Sequence, residues 1–369
     1  MRDLIPAAAR YAYFDHAAKG PLPTPAADAL RAYADDVAEH GGRHWPRWFG
    51  QIAEVRRRIA NLIGGEPGEV ALLNNTAAAI GTVAEGLDWR EGDNVVVMAD
   101  EFPSNLLPWR HLRTRGVEVR EVPAPDGVVD MQEVQTRVDR RTRLIACSWV
   151  GWGTGYRIDI PELCSVAEGC NARILIDGIQ AVGVQTLDVS QTPIDFLAGE
   201  CRKWLLGPEG VGYLWVRQDR VEGLRPTRVG WASMDREDPF ATDGMRFHAD
   251  ARRFENGMQP FALLAAVNAS LGVLEATPPA GAARILGELR PQVVEAFEAA
   301  GGRVDSVGGK HASAIVAASF EGRDLEAMRK SLAERDVIVS VRCGRLRASP
   351  HVYTSAEDVR RLATGLRTV

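Results

Sequence analysis

The sequence has no apolar run near the roughly 18 residues that suggest a membrane-spanning helix. Its opening residues, Met1-Arg2-Asp3-Leu4-Ile5-Pro6, lack the long apolar core of a secretory signal. Cysteine is sparse. Cys147, Cys164, Cys170, Cys201 and Cys343 are scattered, odd in number and never spaced C-x-x-C, so they suggest neither a disulfide framework nor a zinc site. No metal is expected, and a reducing cytoplasm is the expected location. An excess of one charge is missing too. Lys and Arg total 44 against 49 Asp and Glu, a net charge of −5. The short basic stretches Arg56-Arg57-Arg58 and Arg140-Arg141 do not make the stripe that nucleic acid requires. Neither nucleic acid nor a membrane is an expected partner, and there is no internal repeat or low-complexity tract.

What is present is ordinary globular material, 46% hydrophobic and 25% charged over 369 residues, enough for a large core and one or two domains. Val70–Leu73, Asn94–Met98, Val117–Val119, Leu144–Cys147 and Ile174–Ile176 read as strands. The stretches Ala77–Leu87, Asn105–Thr114, Met131–Val138 and Pro161–Gly169 read as helices between them. This alternation predicts an α/β fold, a mainly parallel, doubly wound sheet whose ligands bind beyond the carboxyl ends of the strands. Thr76, Phe102, Ser148 and Asp177 all fall just past such strands. After about residue 250 the pattern changes to the helical stretches 261–276 and 282–300, a short α/β segment and a closing helix at 356–366. That change predicts a large domain over 16–250 and a smaller C-terminal α/β domain over 251–369.

The chemistry concentrates in two segments. Leu175-Ile176-Asp177-Gly178-Ile179-Gln180 places a carboxylate at the end of an apolar strand and an amide three residues on. Cys201-Arg202-Lys203-Trp204 then supplies an amine. An amine that can form an imine, a carboxylate that keeps a pyridine nitrogen protonated and an amide for a phenolic oxygen are what pyridoxal 5'-phosphate requires. Thr76 and Ala77, opening a helix after a strand, would offer N–H groups and the helix dipole to its phosphate.

These residues resemble the class V aminotransferase family of fold-type I pyridoxal-phosphate enzymes, in the branch of cysteine desulfurases, selenocysteine lyases and isopenicillin-N-epimerase-like proteins. The resemblance runs from Tyr13-Phe14-Asp15-His16-Ala17-Ala18 through Asn75-Thr76-Ala77-Ala78, Glu101-Phe102-Pro103-Ser104-Asn105 and Arg345-Leu346-Arg347-Ala348-Ser349-Pro350 to the final helix. It implies that residues 1–15 join the small domain and that the protein is a homodimer with the cofactor at its interface. It implies catalytic roles for Lys203 and Asp177. Thr76, Ala77, Arg202 and Gln180 would bind cofactor, with Phe102 stacked on the ring. Arg347 would clamp a substrate carboxylate, with Arg345 as a decoy on the same strand face. His16 and Trp152 are further pocket candidates, behind them Arg43, His44 and Trp149.

The chain also departs from that family. A desulfurase carries its nucleophilic cysteine on a loop ahead of the carboxylate-binding arginine. Here Val341-Arg342-Cys343-Gly344-Arg345-Leu346-Arg347 leaves almost no loop, although neighbouring arginines would be expected to lower the Cys343 pKa. Glu200 stands where relatives often have a hydroxyl residue. Met258 stands where they often have a threonine that reaches a partner's phosphate, and Gln259 is one substitute. The expected function is pyridoxal-phosphate chemistry at the α-carbon of an amino acid or small amine, with aminotransferase as the first reading. Carbon–sulfur lyase, cysteine desulfurase and epimerase are the alternatives; a non-catalytic scaffold would have lost Lys203, Asp177 or Arg347, and all three are present.

Overall fold

Val70–Leu73 and Asn94–Met98 are unbroken apolar runs, the pattern of strands covered on both faces. The computed structural model describes residues 1–236, 238, 242–277 and 281–368. Its strands there are β1 (Ala12–Tyr13), β2 (Val70–Leu73), β3 (Asn94–Met98), β4 (Glu118–Val122), β5 (Thr142–Ser148), β6 (Arg173–Asp177) and β7 (Phe196–Glu200). They continue with β8 (Gly212–Val216), β9 (Arg303–Val304), β10 (Val316–Ser319), β11 (Val337–Ile338), β12 (Ser340–Arg342) and β13 (Arg345–Ala348).

Seven strands form the central sheet in the order β2-β8-β7-β6-β5-β3-β4. Strands β4, β3, β5, β6 and β7 pair in parallel, and β8 runs against both β7 and β2. The mainly parallel sheet expected from the alternation is therefore present, and β2 points the same way as the parallel strands. Successive residues feed opposite cores: Val96, Ile145, Ile174, Ile176 and Leu197 on one face, Val95, Leu144, Leu175, Phe196 and Ala198 on the other. Helices Thr76–Gly86 and Ile160–Cys170 make crossovers. Asn75 caps the first by accepting from Ala78 N at 2.8 Å; Asp159 caps the second.

Buried strands β7 and β8 lie outside the runs identified from sequence; Ala198 and Gly199 dilute the apolar signal of β7. The stretch 282–300 is not one regular helix. A π turn at Ile285–Leu289 leads into Arg290–Ala299, where Pro291 lacks the N–H that would continue the ladder. A second, antiparallel sheet, β12-β13-β10-β9, draws on residues 303–348, while the helix Phe261–Glu275 packs on Thr24–His40 and Trp45–Ile63. The N-terminal segment reaches the C-terminal part through β1, which pairs in parallel with β11, and through an Asp15–Ser349 bridge.

One close approach sets the turn after β2. A Cβ on Gly212, the first residue of β8, would lie 2.6 Å from the backbone of Asn75. Neither backbone can yield cheaply, so Gly212→Ala is expected to cost about 1–3 kcal/mol and to displace Thr76. Urea denaturation checks this, and a loss below about 0.5 kcal/mol would show that the turn accommodates a methyl group.

Candidate active site

Asp177 is the last residue of β6, and its backbone carbonyl accepts from Trp149 N at 2.9 Å beyond the end of β5. Its Oδ1 accepts from Ile179 N at 3.0 Å, which fixes the carboxylate at the start of the following turn. Lys203 follows β7 in a tight loop, closed by Gly207 N to Cys201 O at 2.8 Å and Leu206 N to Lys203 O at 3.1 Å. Both side chains are buried, yet both line one cavity of about 410 Å³ at the carboxyl edge of the sheet. Burial lowers the Lys203 pKa most; Arg202 adds to the fall, and Asp177 opposes it. Burial raises the Asp177 carboxyl, against the Ile179 hydrogen bond and the charge of Lys203. An amine so placed is available as a nucleophile nearer to neutrality than an exposed lysine.

At one end the cavity meets the N-terminus of the helix Thr76–Gly86. The first N–H groups of such a helix have no intrahelical acceptor. Thr76 Oγ1 is buried there and has no hydrogen-bond partner among the described residues. Arg202 lines the same cavity; its Nη1 donates to Ala18 O at 2.9 Å and its Nε lies 3.2 Å from Glu200 Oε1. These donors fit a phosphate. Two carboxylates also face the cavity, Glu200 and Glu209, the latter paired with Lys19 at 2.7 Å. Met258 is half exposed and is not part of the lining. Gln259 is committed to Leu72 O and Glu255, so its amide is not free to take the place of a threonine.

The remaining candidates divide. Phe102, 41% exposed, projects into the cavity and meets Trp152 edge to face, with ring centroids 5.5 Å apart. Gln180 lines the cavity with a fixed amide: its oxygen accepts from Trp204 Nε1 at 3.1 Å, and its nitrogen donates to Ala17 O at 2.9 Å. One N–H of that amide remains for a ring oxygen. Arg347 is buried behind Trp152 rather than open to the cavity. It donates to Trp152 O at 2.6 Å and to Ser340 Oγ at 3.3 Å, and lies 3.5 Å from Asp15 Oδ1. Burial pushes its pKa down to about 10. Arg345 is tied to Asp305 and Asp126. His16 is fully buried away from the lining; its Nδ1 meets Ser349 O at 2.8 Å and its Nε2 the Tyr353 hydroxyl at 2.6 Å, which occupies both ring nitrogens.

Cys343 corrects the expectation of a lowered thiol pKa. The residue is exposed, yet desolvation of its thiol raises the pKa against the lowering charges of Arg345 and Arg347. The residue occupies, with Gly344, the two-residue turn between β12 and β13, both at positive φ (49° and 69°).

Glu101, next to Phe102, was not singled out from the sequence. Its Oε1 accepts from Ser148 N and its Oε2 from Ser148 Oγ, each at 2.5 Å. No described cation pairs with it. Burial pushes its carboxyl up to about 8, against the Ser148 bonds, and the charge of Asp177 adds to the rise. Its position within the Glu101–Asn105 motif was the available signal; its burial was not visible. Glu209, in the Gly207-Pro208-Glu209-Gly210 turn, was missed for the same reason.

Two outcomes are expected. Glu200→Ser removes a carboxylate beside Arg202 and should tighten pyridoxal-phosphate binding to the apoprotein about fivefold, about 1 kcal/mol. Fluorescence titration measures it, and equal or weaker binding would sink the assignment of that end to phosphate. Glu101, ordinarily near 4.5, is raised by folding, so its stabilising contribution is full below pH 4.5 and is lost as pH rises through about 8. Glu101→Gln can keep both Ser148 contacts and should flatten the stability–pH curve across that window. Urea titrations at several pH values decide it, an unchanged slope counting against a neutral Glu101.

Residues 12–362 match the Aminotransferase class-V family. A probable cysteine desulfurase of Methanothermobacter thermautotrophicus is 35% identical over 62% of this chain and 59% of its own. One from Pseudomonas aeruginosa is 30% identical over 96% of this chain and 92% of its own. A solved structure of a cystine C–S lyase with its product cysteine persulfide superposes with a TM-score of 0.91 at 23% identity, covering 98% of this chain and 99% of that one. With Lys203, Asp177 and an unfilled hydrogen-bonding capacity at Thr76 facing one cavity, these likenesses identify the chain as a member of the class V aminotransferases, a pyridoxal-phosphate-dependent enzyme.

Proposed function

We propose that this enzyme is a carbon–sulfur lyase, cleaving the Cβ–S bond of a small sulfur-containing amino acid by β-elimination. The observation that carries this over sulfur transfer is Cys343. A desulfurase delivers a thiolate to the substrate sulfur from a loop, whereas this thiol, although exposed, is held in a two-residue turn between the paired strands β12 and β13. The relatives named for cysteine and the cystine lyase support a sulfur amino acid as substrate.

When bound, pyridoxal phosphate supplies the electron sink for bond breaking at the α-carbon. Thr76, Ala77 and Arg202 would hold its phosphate, Gln180 would donate to its ring oxygen, and Asp177 would keep its ring nitrogen protonated. Lys203 would hold its aldehyde carbon, and its free amine is the base placed to take the α-proton. Arg347 binds the substrate carboxylate by giving up its contact with the Trp152 carbonyl, and its fork fixes the orientation of the bonds at the α-carbon. Phe102 and Trp152 shield one side from water; neither titrates, which leaves proton transfer to Lys203. The overall reaction would break the Cβ–S bond with its electron pair leaving on sulfur, as sulfide or persulfide, and the three-carbon remainder would take up water to give keto acid and ammonia. No protein thiol takes part.

Transamination is the second reading, favoured by Phe102: with no titrating group at that position, Lys203 would be the single base, and a single base is enough for the proton shift that transamination requires.

Incubating the holoenzyme with cysteine, cystine and alanine separates these readings. The lyase gives keto acid, ammonia and sulfide or persulfide in equal amounts, with Cys343→Ala within twofold of the parent. Loss of sulfur release in Cys343→Ala would make it a desulfurase; keto acid formed once per cofactor, without sulfur and with an amino-acceptor requirement, would make it a transaminase. Arg347→Lys is expected to lower kcat/KM on the order of 10²-fold through misplacement of the carboxylate, and an unchanged value would remove Arg347 from substrate binding.

The homodimer is proposed on the exposed apolar face of Trp45, Phe49, Val229, Trp231, Met245 and Met258. Trp231→Asp should shift the molar mass measured by light scattering from dimer to monomer; a parent that is monomeric throughout would refute it.

A further inference from the structure

The helix Thr24–His40 and the helix Trp45–Ile63 meet at an elbow, where Gly41 turns the chain at φ 58°. Asp36 and His40 stand one turn apart on the first helix, at i and i+4 and so on one face. The elbow folds His44 back over them, its ring centroid 4.8 Å from that of His40. One oxygen of Asp36 and one ring nitrogen from each histidine lie within 4.8 Å of one another. Asp36 Oδ1 is 2.6 Å from His44 Nδ1.

An ordinary histidine–carboxylate ion pair accounts for His44 and Asp36 alone. It leaves two features over. A second imidazole, whose own carboxylate neighbour Glu39 is no nearer than 3.9 Å, is placed edge to face against the pair. And Trp48, buried at 5% exposure, donates its indole N–H to Asp36 Oδ2 at 2.7 Å. That bond comes from outside the trio and turns Oδ1 toward the two histidines, the work done by outer-shell partners around metal ligands. The Asp36 side chain is 12% exposed and held on both oxygens, while the imidazoles are 39% (His44) and 35% (His40) exposed, so an ion can reach the trio from solvent.

We propose that Asp36, His40 and His44 form a three-ligand site for a borderline divalent transition cation of the Zn²⁺ type, with water in the fourth position, clipping the elbow between the two helices. Two imidazoles and one carboxylate suit such ions better than Mg²⁺ or Ca²⁺, which take oxygen ligands. Ligand bonds of about 2.0–2.2 Å hold neighbouring donor atoms roughly 3.3 Å apart. That is wider than the present Asp36–His44 contact and narrower than the widest spacing in the trio, so a modest rotation of both rings brings the three donors to one point. The cysteine spacing gave no reason to expect a metal, and the histidines come together only through the elbow.

The test uses full-length holoenzyme, free of any histidine tag and stripped with a chelator, titrated with Co²⁺. One equivalent per chain should produce the visible d–d absorption of a four-coordinate N/O site, and Zn²⁺ should bleach it. His40→Ala and His44→Ala should each weaken binding at least tenfold, Trp48→Phe about tenfold without loss of a ligand, and His111→Ala not at all. Circular dichroism and cofactor uptake confirm that each variant is folded; His40→Gln replaces one that is not. No stoichiometric cobalt spectrum in the parent, or equal affinity in the His40→Ala/His44→Ala double variant, overturns the site. Neither result touches the β-elimination reading, which rests on other residues.

Discussion

Taking an amine and a carboxylate out of water within one cleft costs several kcal/mol for each ion unless each is compensated. That demand organises the molecule. Asp177 and Lys203 are both buried, and neither could be held charged alone. The sheet resolves it by geometry: β6 ends at the carboxylate, β7 ends three residues before the amine, and the two strands are hydrogen-bonded neighbours. The Ile179 N–H finishes the work on the acid and the amine loses affinity for its proton, the kind of perturbed pair that marks a candidate functional site rather than a structural core.

The end of the cavity proposed for phosphate is balanced differently. Glu200 and Glu209 bring negative charge there, and Arg202 and Lys19 are drawn to them. The amide of Gln180, by contrast, has its orientation decided by the indole of Trp204, the residue after the reactive lysine. A side chain with two chemically different ends is thereby made to present a donor to the cavity. The geometry of the candidate site depends as much on such buried partners as on the residues that line the cavity.

Some of this was legible from the chain. Asp177, Gln180 and Lys203 stand in short local patterns, and the alternation of apolar runs with helices states the mainly parallel sheet directly. Less was legible where the answer depends on distant packing. Cys343 illustrates it: a run of arginines suggests a lowered thiol pKa, but desolvation of the exposed residue's thiol at the hairpin turn is the larger effect and has the opposite sign. Nothing local distinguishes His16 from a ligand-binding histidine until Ser349 and Tyr353 close on it from the far end of the sequence. Glu101 was hidden for the same reason, since its unpaired burial is a property of the folded strand ends. Strand β7 escaped notice because small residues serve a fully covered strand as well as large ones do.

The first twenty residues reach into the site they precede. Phe14 O accepts from Ser349 N, Ala17 O from Gln180, and Gly20 N donates to Arg202 O, while β1 lies along β11. At ribosomal rates on the order of 5–20 residues per second, the opening segment waits tens of seconds for its partners to be made. The central sheet can form in that interval, but the wall around Lys203 cannot. During synthesis, then, the wall that residues 14–20 build around Lys203 closes only after the segment near Ser349 has been made.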